Sequence, residues 1–232
     1  MSRAAWMAAV AVLAAALASC RMPDEAAYYE RDEESIGVEG GGSGGSGSGG
    51  SPAVETVFFD PSSAAGGQKS WTFRTNDPAY IVPGGRTVMK ITGSSYVNSA
   101  SMTVSKKSGS ATAGYGMVFF YNKNGGKEYM MTVMINTRRQ YKIDKVADGQ
   151  IIPISGGWVT AQGLKGGFGV QNTIGVSHSS DGKFHVKFNG VEETTFTDPA
   201  APIIPKGTTG CIVAISDSEG FPQKFVEVSF TE

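Results

Sequence analysis

From Val54 onward, apolar and polar residues alternate with a period of two in short runs bounded by Gly, Ser, Asn, Asp or Pro. That period puts successive side chains on opposite faces of an extended chain, so each run predicts a half-buried β-strand. Val57–Phe59, Trp71–Phe73, Thr87–Ile91 and Ala100–Val104 come first, followed by Gly116–Tyr121, Glu128–Ile135, Tyr141–Val146 and Gln150–Ile152. Asn124-Gly125-Gly126 and Asp148-Gly149 separate neighbouring runs and tolerate the positive φ of tight hairpin turns. The clearest hairpin is Thr173–Phe188. Ile174 and Val176 share a face on one side of Ser180-Asp181-Gly182, and Phe184, Val186 and Phe188 alternate with Lys183, His185 and Lys187 on the other. Asn189-Gly190 then turns the chain toward Val191–Phe196, and Gly210–Ile215 and Lys224–Phe230 close the series. No stretch of this region has helical periodicity. The pattern predicts an all-β fold, a two-sheet antiparallel jelly-roll sandwich over residues 53–232.

The chain before it divides differently. Arg3 precedes an uncharged apolar run from Ala4 to Leu17, which ends in Leu17-Ala18-Ser19-Cys20. A charged start, a short apolar stretch and small residues before a cut describe a secretory signal over residues 1–19. The run is short for a bilayer span. The tetrapeptide resembles the bacterial lipobox, which implies cleavage after Ser19 and a lipid-bearing Cys20 with two or more acyl chains, enough for stable anchoring. Arg21 follows the cysteine, where an aspartate often retains lipoproteins in the inner membrane; the resemblance therefore favours the outer membrane or the cell surface. Residues 20–52 read as a tether. Asp24–Glu39 is acidic and residues 40–51 are only glycine and serine. Such a stretch cannot bury enough apolar area to offset its ordering entropy, and as a coil it reaches about 30 Å.

Charge separates the same two parts. Residues 21–52 hold two basic and seven acidic residues, and residues 53–232 hold seventeen basic and fourteen acidic ones. So mild an excess excludes nucleic acid as a partner, which demands a concentrated basic patch. The chain has two cysteines. With Cys20 lipidated, Cys211 has no partner for a disulfide, and its place in the apolar run 210–215 makes it a small core residue.

The series Gly114–Tyr121, Tyr129, Tyr141-Lys142-Ile143, Trp158, Asn172–Val176, Phe184–Gly190 and Gly210–Ile215 resembles the concanavalin A-like lectin/glucanase superfamily. It is nearest to its laminin-G-like and 3-keto-disaccharide-hydrolase-like bacterial domains. The resemblance implies two antiparallel sheets with one curved face often used for glycans. The glucanases of that superfamily space three carboxylates closely on one strand, because acid and nucleophile must flank one glycosidic bond. Here Asp144 lies between lysines, Glu192 and Glu193 point to opposite faces, and Asp217 with Glu219 fall in a turn. No catalytic residue is assigned.

Cofactor and metal readings are also empty: His178 and His185 are the only histidines, and no Cys/His/Asp set has ligand spacing. A glycan face needs stacking rings and a few directed polar groups. Trp158 in a glycine-rich loop, Arg138 and Arg139 in the turn after the Tyr129 strand, and Tyr115 and Tyr121 are the candidates. The sequence thus predicts a membrane-anchored envelope or surface module binding glycan, or an envelope or host protein. The alternatives are a purely structural envelope lipoprotein and, third, a glycoside-active hydrolase.

Overall fold

The computed structural model describes residues 29–31, 57–80, 84–199, 203–216 and 225–232. The signal, Cys20, the glycine-serine run and Asp217 with Glu219 lie outside the described residues. The strands in chain order are β1 (Tyr29–Arg31), β2 (Val57–Ser63), β3 (Lys69–Thr75), β4 (Arg86–Ile91), β5 (Ser99–Ser108), β6 (Tyr115–Asn124), β7 (Lys127–Ile135) and β8 (Gln140–Ala147). They continue with β9 (Gln150–Pro153), β10 (Val159–Thr160), β11 (Asn172–His178), β12 (Lys183–Phe188), β13 (Val191–Thr197), β14 (Thr208–Ile215) and β15 (Val226–Thr231). Two 3-10 turns, Ala65–Gly67 and Pro78–Tyr80, are the departures from strand and loop among the described residues.

Two sheets result. One runs β1-β4-β14-β6-β7-β8-β10, with β9 also paired to β8; the other runs β13-β12-β11-β5-β15-β3-β2. The all-β antiparallel jelly-roll sandwich read from the alternation is therefore the fold. β1 is the exception: it lies parallel to β4, inside a stretch the composition describes as coil. A strand at a sheet edge is held by main-chain hydrogen bonds, so three polar residues can form one without a core of their own.

Period-two alternation sets the core. Val104, Met117, Phe119, Met131, Val133, Ile143, Ile174, Val186, Cys211, Val228 and Phe230 face one another between the sheets. Three hairpins turn where the sequence placed them. Gly125-Gly126, Asp148-Gly149 and Asn189-Gly190 each have positive φ at both residues, the geometry that matches the twist of the flanking strands. In β6 a bulge at Phe120, φ 57°, turns both Phe119 and Phe120 into the core and resets the register beyond them.

The same alternation that fills the core also carries two lysines inward. Lys106 continues Met102 and Val104 on β5, and Lys145 continues Tyr141 and Ile143 on β8; both are fully buried. Lys106 Nζ donates to the Ala113 carbonyl at 3.3 Å. Lys145 Nζ donates to Asp198 Oδ1 at 2.6 Å. A buried ammonium persists only with partners of this kind.

Candidate functional site at one end of the sandwich

The outward face of the β1–β10 sheet carries its own rows. In the strand register Lys142, Met134, Gly116, Ile212 and Met89 lie side by side, and Asp144, Thr132, Val118, Gly210 and Ile91 form the next row. Met89, Val118, Met130, Met134, Val146 and Ile212 make a second apolar cluster, buried and separate from the core between the sheets. Asp144 within it is paired to Lys142 at 3.3 Å.

Solvent meets this sheet at its β7–β8 end. Trp158, the residue before β10, is 38% exposed, and Phe168 in the following loop is 46% exposed. Trp158 stands over Gly114: a Cβ there would come within 2.9 Å of Trp158 Cη2 and 3.1 Å of Met134. Glycine at 114 is thus what lets the indole lie against the sheet while keeping part of its ring in water.

Arg139 builds the loop that holds the two rings. It sits at φ 64° in the β7–β8 turn. Its Nε donates to the Leu164 carbonyl at 2.9 Å, and its own carbonyl accepts from Ala161 N at 2.9 Å. Gly167 N donates to the Thr137 carbonyl at 2.9 Å, which ties the Phe168 loop to the same turn. From the far side, Glu193 accepts from Gln162 N at 2.9 Å and Gly163 N at 3.1 Å. Arg138, between these anchors, is exposed, and its backbone N–H is capped by Asn136 Oδ1 at 3.0 Å.

The five candidate ligand residues therefore separate. Trp158 lies against Gly114 and Met134, Arg138 sits in the β7–β8 turn, and Phe168 follows Gly167, which is bonded to that turn; Phe168 falls in a loop, where the alternation could not single it out. Arg139 is at the same end but directs its guanidinium to its own chain. Tyr121 faces the same side of the sheet and donates to Glu128 Oε1 at 2.9 Å. Its level on β7, opposite Met130, is four residues from Met134, about 13 Å away at the usual strand rise. Tyr115 points into the core between the sheets and has no exposure; burial pushes its phenol up to about 12. A ligand arriving from water cannot reach it.

A second polar cluster lies on the other sheet. His185 Nδ1 is 3.0 Å from Glu192 Oε2, and its Nε2 is 3.1 Å from Ser179 Oγ. Hydroxyl, imidazole and carboxylate stand in the order of an activated nucleophile. The Ser179 hydroxyl, however, also bonds Asp181 Oδ1 and the Lys183 carbonyl, within its own hairpin turn. The hydrogen bond from Ser179, with the Lys183 backbone N–H, holds the Asp181 carboxyl below its ordinary value. The cluster locks the β11–β12 turn to β13. Among the described residues no three His, Cys, Asp or Glu side chains converge as metal ligands, and no helix is long and apolar enough to cross a membrane.

No family model and no curated protein matches the chain. Among solved structures it is similar to a carbohydrate-binding module from Bacillus subtilis, at 10% identity and TM-score 0.42, over 75% of this chain and 90% of that one. A β-glucanase from Bacillus licheniformis gives 10% identity and TM-score 0.44 over 78% of this chain and 88% of that one. An endo-β-1,4-glucuronan lyase from Trichoderma reesei gives 11% and 0.42 over 77% and 87%. Likenesses this distant say nothing of activity, which must be argued from the site.

Proposed function

We propose that this chain is a lipid-anchored envelope or surface module that binds glycan at the β7–β8 end of its sandwich. The observation that carries the reading is the two exposed rings, Trp158 seated over Gly114 and Phe168 in the loop that Arg139 and Glu193 hold to the β7–β8 turn, with exposed Arg138 in that turn. Rigid aromatic platforms beside a free guanidinium suit a ligand with apolar ring faces and polar edges. Holding the loop in advance lowers the ordering cost of binding. Anchoring rests on Leu17-Ala18-Ser19-Cys20 in its signal context.

A glycan array probed with the chain from Arg21 onward tests the binding. A hit should weaken about tenfold or more in Trp158→Ala, roughly 1.4 kcal/mol, fall less in Phe168→Ala, and persist in Tyr121→Phe. Binding unaffected by Trp158→Ala would place the ligand elsewhere. For the anchor, labelled fatty acid should enter the full chain and not Cys20→Ala, and the variant should leave the membrane fraction.

A further inference from the structure

Each sheet of an open sandwich ends in strands whose outer N–H and C=O groups lack a partner, and such edges recruit strands from other chains. Three of the four edges here are blunted by their own residues. The outer edge of β8 is shared by β10, two residues long, and β9, four residues that end in Pro153. β13 is paired through a bulge between Val186 and Lys187 and carries adjacent carboxylates, Glu192 and Glu193. β2 contains Pro61 and a register shift between Val57 and Phe59. The fourth, β4, carries Arg86 and Lys90 but is neither short, bulged nor broken by proline: its six residues Arg86–Ile91 pair with β14 in unbroken register. Its outer side is a regular template for one more strand.

The structure fills that template from the chain itself, with Tyr29, Glu30 and Arg31 opposite Thr87, Val88 and Met89. We infer that β1 is an edge guard: a cis strand that occupies β4 and excludes addition of a strand from a second copy of this chain. Charge agrees with the assignment, since β4 bears Arg86 and Lys90 and β1 lies within the acidic stretch 24–39. The inference does not depend on glycan binding or on the lipid.

The test uses the chain from Arg21 onward and a variant with Tyr29→Pro and Glu30→Pro, which removes whichever N–H points at β4. Both prolines fall in the edge strand alone and leave residues 57–232 unaltered, so the melting temperature serves as a check on folding. The guard predicts amide exchange across residues 86–91 at least about tenfold faster in the variant, together with concentration-dependent association seen by light scattering. A synthetic peptide of residues 24–36 added in trans should return the variant to monomer. Unchanged exchange would show that β1 does not cover the edge. Faster exchange with a variant that stays monomeric would show that the edge is safe without it. Either result overturns the inference.

Discussion

Lys145 Nζ lies 2.6 Å from Asp198 Oδ1, and neither side chain is open to solvent. Lys145 belongs to β8 in one sheet, and Asp198 follows β13 at the edge of the other, so the pair ties the two layers together. Asp198 also accepts from Ile204 N at 3.1 Å through its second oxygen. Removing one partner leaves a buried charge without its counterion. Asp198→Ala should therefore cost about 3–5 kcal/mol in urea unfolding, whereas the paired change Lys145→Met with Asp198→Leu should recover most of it. A small loss in Asp198→Ala would mean that water reaches the lysine.

A second ion cluster sets an acid limit. Glu227 on β15 is held below its ordinary value of 4.5, by Lys107 first and by Arg74 after it. Its contacts are 2.8 Å to Lys107 and 3.1 Å to Arg74. A carboxyl depressed in the fold stabilises fully above its unfolded value, and that stabilisation is lost as pH falls through the folded one. Glu227→Gln should be less stable than the unaltered chain at pH 7, and the gap should close on acidification below pH 4.5. Parallel stability curves across that range would remove Glu227 from the acid response.

At the alkaline end the sign reverses. Tyr115 ionises in the unfolded chain near its ordinary 10.0 but only at about 12 in the fold, because burial disfavours the phenolate. The stabilisation is complete below pH 10 and disappears as pH rises to 12. Absorbance of phenolate should show one tyrosine that titrates only as the protein unfolds, and Tyr115→Phe should lack it. The same variant should leave any glycan binding intact, since the ring faces the core.

How much of this was legible beforehand follows from which interactions have a local signature. Alternation at Phe184, Val186 and Phe188, and the dipeptides Asp148-Gly149 and Asn189-Gly190, announce strands and hairpins because both are decided by neighbours in sequence. Cys211 was legible for the same reason: an apolar run placed it in the core, where burial raises its thiol well above its ordinary value. The inward lysines went unread: Lys145 continues the Tyr141-Ile143 alternation, but Lys106 lies beyond the strand expected at Ala100–Val104, and a partner such as Asp198, 53 residues away, leaves no local sign. The site divided along the same line. A glycine-rich loop marked Trp158, but the bonds that give Arg139 to the loop and tie Gly167, before Phe168, to Thr137 join segments through folding alone. Nothing apolar marked Tyr29–Arg31 as a strand, since an edge pairing is made by backbone.

Asn189 offers the sharpest separation of backbone from side-chain effects. It opens the β12–β13 turn at φ 53°. Its Oδ1 accepts from Thr173 N at 2.9 Å, and its Nδ2 donates to the Gly163 carbonyl at 2.8 Å and to Asn172 Oδ1 at 2.9 Å. One side chain thus fastens the hairpin turn to β11 and to the loop that leads to the candidate site. Asn189→Gly keeps the left-handed backbone and loses the three bonds, a cost of about 2–3 kcal/mol at roughly 1 kcal/mol per net hydrogen bond. Asn189→Ala loses the bonds and must also force a Cβ into that conformation, which adds about 1–2 kcal/mol. Urea unfolding at constant m-value should therefore rank the unaltered chain above Asn189→Gly and Asn189→Gly above Asn189→Ala. Equal stability of the two variants would show that the turn relaxes out of the left-handed region once its side-chain bonds are gone.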